Sequence, residues 1–231
     1  TINDVTFSSI FFTLASQRRN SDFKTDLGFT DVDRENGQTT EEFAGNLDWV
    51  LKFSELSQLR TYMSTDLTDT SNGVLRGVED PGTGDPNDIQ ISTDVIRNKV
   101  VALGFTRTDR TLETSLTGHI RDLIYSESRN DRRIVSLRAA FDYLVSETLT
   151  SGFYARYSNS DFTDIVRTDD NITVGANASY KLTRKLNGTF DLKYRNRDST
   201  RATEDFDEWS AFASLVYGFG QPLRPTRVGG F

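Results

Sequence analysis

Between Asn171 and Ser199 the side chains alternate in character. Ile172, Val174, Ala176, Ala178, Tyr180 and Leu182, then Gly188, Phe190, Leu192 and Tyr194, are interleaved with Asn171, Thr173, Gly175, Asn177, Ser179 and Lys181, then Thr189, Asp191, Lys193 and Arg195. A period of two belongs to the β-strand, whose successive side chains leave opposite faces of the pleat. The segment therefore reads as a hairpin with one apolar and one polar face. Two settings accept such a ribbon: half of a soluble sandwich, or the wall of a membrane barrel. The rest of the chain has to choose between them.

The unit recurs. Asn46–Thr70, Val100–Ser126 and Leu137–Asp161 each read strand, tight turn, strand, with turns at Ser54–Ser57, Thr108–Thr111, Ser146–Leu149 and Thr183–Leu186, and a looser one near Ser16–Arg19. One face carries residues such as Phe43, Leu47, Leu51, Leu103, Leu116, Leu137, Phe141 and Phe153. The other carries Asn46, Asp48, Arg60, Glu113, His119, Arg138 and Asp142, too much charge for a protein core. Hairpin ends differ in kind: one set has only the short turns, while the other has long polar segments at 31–42, 68–88, 126–133, 159–170 and 195–208. Short turns on one rim and long loops on the other are the mark of an outer-membrane barrel, and a sandwich offers no reason for them.

Strand length agrees. The apolar face runs about 9 to 11 residues per strand, the span a tilted strand needs to cross the hydrocarbon layer. Polar alternation continues past it at Asp88–Asn98, which predicts strands projecting above the membrane. Trp49, Phe53, Tyr143, Tyr157, Tyr180, Tyr194 and Trp209 sit toward the ends of the apolar runs, where an aromatic girdle is expected. The expected pairs are 4–16 with 21–33, 41–53 with 57–69, 90–107 with 111–125, 133–145 with 149–162 and 170–182 with 187–198, followed by an eleventh strand at 207–219. The fold class is thus all-β, an antiparallel up-and-down transmembrane β-barrel with about 11 strands visible and at least 12 expected on closure, because bacterial single-chain barrels have even strand numbers. Residues 1–220 form the barrel, lacking upstream strands, and 221–231 a tail containing Pro and Gly.

Composition removes other classes. The 231 residues include no Cys and one His, so disulfides, thiolate sites and a cysteine nucleophile are excluded, and a His-rich metal site or a serine triad has little to work with. The net charge of -7 with interspersed signs argues against nucleic acid. No stretch approaches the roughly 20 apolar residues of a membrane helix. Thr1 opens directly on "TINDVTFSS" with no signal peptide, so the chain is expected to be cytoplasmic, processed, or a fragment of something longer.

The turns "YKLTRKL" (Tyr180–Leu186) and "YLVSETL" (Tyr143–Leu149), the strand ends "RYSNSD" and "YRNRDS", and the closing "W-x-A-x-A-S-L-x-Y-x-F" strand from Trp209 to Phe219 resemble the C-terminal part of the outer-membrane β-barrel porins found with exosortase (PEP-CTERM) and exopolysaccharide systems. That resemblance implies the bacterial outer membrane as location. It also implies that Tyr217 and Phe219 carry the insertion signal read by the barrel assembly machinery. Here "GQPLRPTRVGGF" continues past Phe219, and Pro222 and Pro225 bar a ladder strand; the tail is expected to plug the periplasmic mouth or bind a partner.

Chemistry is sparse. Asp169–Asp170 and Glu41–Glu42 are adjacent, so their carboxylates point to opposite faces and suit loop solvation better than catalysis. The acidic "DPGTGDPND" reads as an exposed loop ahead of a weak calcium site, and His119 as a member of a polar network. Asp48, Lys52, Arg60, Glu113, Arg121, Arg138, Asp142, Arg156, Lys181, Asp191, Lys193 and Arg195 are expected to line the lumen, where opposed rows of charge bias ion selectivity, here toward anions. The reading is a passive porin-type channel for small polar or anionic solutes or polysaccharide, with the Thr68–Asp88 loop as the constriction. No enzyme activity, cofactor or metal is expected, and the expected partners are outer-membrane lipid, the assembly machinery and a polysaccharide or surface component. The alternative is a non-conducting scaffold barrel that anchors a surface or secretion assembly.

Overall fold

A computed structural model of the chain describes residues 5–34, 39–69, 95–126 and 130–218. They form a single sheet of 11 strands in sequence order, every neighbour antiparallel. The strands are β1 (Val5–Arg18), β2 (Ser21–Arg34), β3 (Thr39–Lys52), β4 (Ser57–Asp69), β5 (Val95–Thr108), β6 (Leu112–Tyr125), β7 (Arg132–Leu144), β8 (Leu149–Phe162), β9 (Arg167–Lys181), β10 (Leu186–Ser199) and β11 (Phe206–Tyr217). All expected strands are present. β5 begins at Val95, so the start expected at residue 90 lies outside the described residues. β9 extends three residues further toward the long loops than the alternation suggested.

Three of the hairpin turns close by a shared local device. Ser54 Oγ accepts hydrogen bonds from the amides of Leu56 and Ser57, Ser146 Oγ from those of Thr148 and Leu149, and Thr183 Oγ1 from those of Lys185 and Leu186. A hydroxyl at the first turn position thus does locally what a ladder partner does elsewhere, which is why Ser or Thr recurs there. The first turn departs from expectation. Arg18 pairs directly with Ser21, leaving a two-residue connection at Arg19–Asn20, with Asn20 of the kind that tolerates the backbone such a turn needs.

Burial is inverted relative to a soluble domain. Ile10, Phe12, Trp209 and Leu215 are 70 to 83% exposed, while Ser158, Ser160 and Asp169 are buried on the other face. The apolar cluster of Ile96, Leu123 and Ile134, with Tyr125 against it, sits on that same polar face, toward the long-loop end of β5, β6 and β7. Its residues share the parity of the polar side chains, so the alternation gave no sign of it.

The register fixes the lean of the strands. The upper edge of the apolar band lies at Ile10, Phe29 and Phe43, one ladder row of β1 to β3. On β5 to β7 the edge is Val101, Ile120 and Val135, which continue the row of Leu47 and Met63, four residues lower. It drops two more residues at Tyr157 and Ile172 and another two at Tyr194 and Trp209. Eight residues of descent, at about 3.3 Å each, over ten strand spacings of about 4.8 Å, correspond to a lean of about 30°. On β6 the band runs from Leu112 to Ile120, which at that lean is about 23 Å upright, against the roughly 25 Å belt of outer-membrane barrels. Among the described residues β1 and β11 are not paired, so the sheet presents two edges, and both strands run from the long-loop rim toward the short turns.

Candidate functional site

Because side chains alternate, the register assigns each residue to a face. All twelve charged residues expected in the lumen, Asp48 through Arg195, fall on the inner face, opposite the apolar band. His119 is also inner, between Ala102 and Ser136. Of the aromatics, Tyr157, Tyr194 and Trp209 stand at the upper edge of the band, with the Tyr194 and Trp209 rings 5.0 Å apart, and Trp49, Phe53, Tyr143, Tyr180 and Tyr217 toward the lower edge. Phe219, the tail from 221 to 231 and the expected constriction loop beyond Asp69 lie outside the described residues.

The inner wall is knitted across strands. Arg60 makes a two-pronged contact with Asp48, at 2.9 Å from Nε and 2.7 Å from Nη2, the fork geometry that suits guanidinium and carboxylate. Lys52 donates to Asp22 at 2.6 Å, Arg195 to Glu208 at 3.0 Å through Nε, Arg121 to Asn98 at 2.8 Å and Arg156 to Ser136 at 3.3 Å. Glu113 accepts from Thr108 at 3.4 Å, and Asp142 is buried beside Gly152, where an added Cβ would stand 2.2 Å from its carboxylate. At the long-loop rim Arg167 and Asp169, 11% and 4% exposed, form an ion pair, with Ser199 donating to Asp169 at 2.6 Å.

Several inner residues were not singled out from sequence. Asp22 and Glu208 provide counter-charges, and Arg197 and Arg195 flank the Phe206 ring at 4.9 and 5.8 Å. Tyr154 is the most consequential. Its ring lies across Gly175, where any Cβ would come within 2.4 to 2.6 Å of it, and its hydroxyl reaches the Asp191 carboxylate at 3.4 and 3.5 Å. Both glycines sat in plain view in the polar half of the alternation, and a glycine in a strand interior is a signal of close approach.

A sheet whose polar face is enclosed and whose apolar face is bare can hold its strands together only where the surroundings of the bare face are themselves apolar, which is the situation of a transmembrane barrel wall. The class is therefore an outer-membrane β-barrel. Residues 133–219, from β7 through the closing strand, match the family described as "Putative beta-barrel porin 2". The chain thus has a porin-type fold, located in the bacterial outer membrane. Among solved structures, the Vibrio cholerae outer membrane protein OmpT in its trimer form aligns at 10% identity with a TM-score of 0.48, over 95% of this chain and 85% of that one. An anion-selective porin from Comamonas acidovorans aligns at 10% identity and 0.48, over 80% of this chain and 48% of that one. The NanC porin aligns at 11% identity and 0.45, over 94% and 98%. No curated protein sequence matches the chain.

Proposed function

We propose that the chain forms a passive channel for small polar solutes with a bias toward anions. One observation carries this: the distribution of charge around the inner wall. On β8 to β10 the inner face holds Arg156, Arg167, Lys181, Lys193, Arg195 and Arg197 against Asp169 and Asp191. Among the described side chains, on β2 to β4 it holds Asp22, Asp26, Glu42, Asp48 and Asp66 against Lys24, Lys52 and Arg60. In a ring of twelve strands, β9 stands opposite β3, so a cationic wall faces an acidic one and a field crosses the lumen. Twelve strands spaced by about 4.8 Å and leaning about 30° enclose a backbone cylinder about 21 Å wide, and two layers of side chains leave roughly 10 Å, room for a monosaccharide-sized solute.

In this reading the aromatics at the two edges of the band act as interface anchors, and Tyr217 forms part of the signal for the assembly machinery. The decisive experiment is current through detergent-purified, heat-modifiable protein in a planar bilayer under a salt gradient. Open steps with a reversal potential of the anion-selective sign are expected, moving toward zero in Lys193→Gln/Arg195→Gln. Folded protein that carries no current would sink the channel reading and leave the scaffold.

A further inference from the structure

β3 and β4 separate above Gly45. Among the described residues, every other pair of neighbouring strands stays in register over 12 to 14 rows. β3 and β4 share eight, from Lys52–Gln58 at the short turn up to Gly45–Thr65. The next rows, Ala44 with Asp66 and Phe43 with Leu67, are not formed, although β3 keeps its ladder with β2 as far as Thr39 and β4 its ladder with β5 as far as Asp69. The wall therefore forks, and it does so where the upper edge of the apolar band steps down from Phe43 to the row of Leu47, Met63 and Val101.

One contact crosses the fork from face to face. Arg97 shares the outer face with Val101, and Glu42 shares the inner face with Asn46 and Asp48, yet the two form a two-pronged ion pair. A continuous ladder keeps side chains of opposite faces apart; these two meet because no ladder stands between them. A cavity of about 730 Å³, the size of a small-molecule site, lies at the fork. Phe43, Leu47, Met63 and Val101 line it in continuity with the lipid-facing band, while Asn46 and Ser64 belong to the inner face. Hydrocarbon surface on the lipid side, hydrogen-bonding groups on the lumen side and a guanidinium between them match an alkyl tail that carries an anionic head.

We propose that the fork is a lateral port between lumen and membrane that binds single-tailed anionic amphiphiles, the tail lying along Phe43, Leu47 and Met63 and the head taking the place of Glu42 on Arg97. The inference rests on the placement of the wall in the membrane and not on ion conduction, so it stands or falls apart from the channel reading. The full chain, in a Trp49→Phe/Trp209→Phe background, is folded into phosphatidylcholine vesicles with one reporter: Ser64→Trp on the inner face beside the fork, Thr173→Trp on the inner face of β9, or Leu137→Trp in the apolar band. 5-Doxylstearate, an anionic single-tailed quencher, is titrated in at alkaline pH, with its methyl ester as the uncharged counterpart.

Saturable loss of emission from Ser64→Trp is expected with the acid and not with the ester, while Thr173→Trp stays bright and Leu137→Trp is quenched by both. Arg97→Gln should raise the half-saturating concentration about tenfold, the loss that follows from removing a charge-assisted bond, and Glu42→Gln should lower it by freeing the guanidinium. Both substitutions break the same ion pair, so a merely structural role would move them in one direction. Because the chain has no Cys, Phe43→Cys/Leu67→Cys joined by a short bifunctional thiol reagent closes the fork selectively and should abolish the quenching. Heat-modifiability shows that each variant is folded. Equal quenching of Ser64→Trp and Thr173→Trp, equal action of acid and ester, parallel shifts in Arg97→Gln and Glu42→Gln, or quenching that survives the bridge would overturn the proposal. An unquenched Leu137→Trp would overturn it together with the membrane placement.

Discussion

The strongest quantitative consequence of the register concerns depth. On β7 the band extends from Val135 to Tyr143, so Ala139 lies at its middle, four residues from either edge. At about 3.3 Å per residue and a lean of about 30°, Ala139 is about 12 Å below the upper edge, close to the centre of the hydrocarbon. An arginine there faces lipid, with Leu116 and Ala155 as its row neighbours, and should cost about 2 to 4 kcal/mol, whereas Val135→Arg at the rim should cost about 1 kcal/mol or less. Thr106→Arg, on the inner face between Gln58 and Ser115, serves as the control and should cost under about 1 kcal/mol. Urea unfolding from lipid vesicles, followed by tryptophan emission, measures all three. The lean adds a sharper demand: on β10 the middle of the band is Phe190, so Phe190→Arg should be as costly as Ala139→Arg although the two are four rows apart on the ladder. Equal costs at Ala139 and Val135, or a cost at Thr106 as large as at Ala139, would refute the placement of the membrane.

Further expectations follow from the inner wall. Gly175→Ala forces its Cβ against the Tyr154 ring and should destabilise the barrel by about 1 to 3 kcal/mol, whereas Gly175→Ala combined with Tyr154→Ala should recover most of that loss; unfolding midpoints of the two variants decide it. Asp48→Asn removes the partner of Arg60 from the acidic wall, so the reversal potential should move further in the anion-selective direction, with a stability change of about 1 kcal/mol or less for a half-exposed pair. Asp169→Ala leaves Arg167 without its buried partner at the long-loop rim and should cost about 3 kcal/mol, seen as faster amide exchange in 167–169 and 199–205 and unchanged exchange near the short turns.

The division of labour between the two faces was legible because it is written at period two, and any chain that alternates as Ile172 to Leu182 does has little choice of strand or face. Turn positions were legible for an equally local reason, since Ser54, Ser146 and Thr183 close their turns with their own hydroxyls. What escaped was anything that depends on register between strands. Arg138 and Arg156 are separated by a turn and many residues, and only the pairing of β7 with β8 sets them opposite each other. Tyr154 carries no signal of its own in the alternation, because its ring is placed by Gly175, 21 positions away in sequence. The inner cluster of Ile96, Leu123 and Ile134 was hidden for the opposite reason: it obeys the alternation but carries apolar residues in polar places, and its meaning depends on height along the strand.

The two sheet edges constrain closure independently of any of this. β1 and β11 both descend from the long-loop rim, so pairing them directly would create a parallel ladder in an otherwise antiparallel wall. A wall antiparallel throughout closes only through an odd number of additional strands, and a bare edge in hydrocarbon leaves a full row of amides and carbonyls unsatisfied at several kcal/mol per group. The edge strands also differ from the rest in their inner faces, where Phe11 on β1 and Phe212 and Val216 on β11 are exposed and apolar. With one strand inserted, the descent of eight residues over ten spacings, continued round the wall, brings Phe11 to about the ladder row of Phe212. The seam is then an exposed apolar strip on the inner face, apart from the buried cluster of Ile96, Leu123 and Ile134. A cysteine pair at Phe11 and Phe212 would lie two strand spacings apart, about 10 Å, within reach of a short bifunctional thiol reagent and beyond that of a disulfide. Cross-linking by the reagent but not by oxidation is the expected result; disulfide formation on oxidation would show the two edges meeting directly.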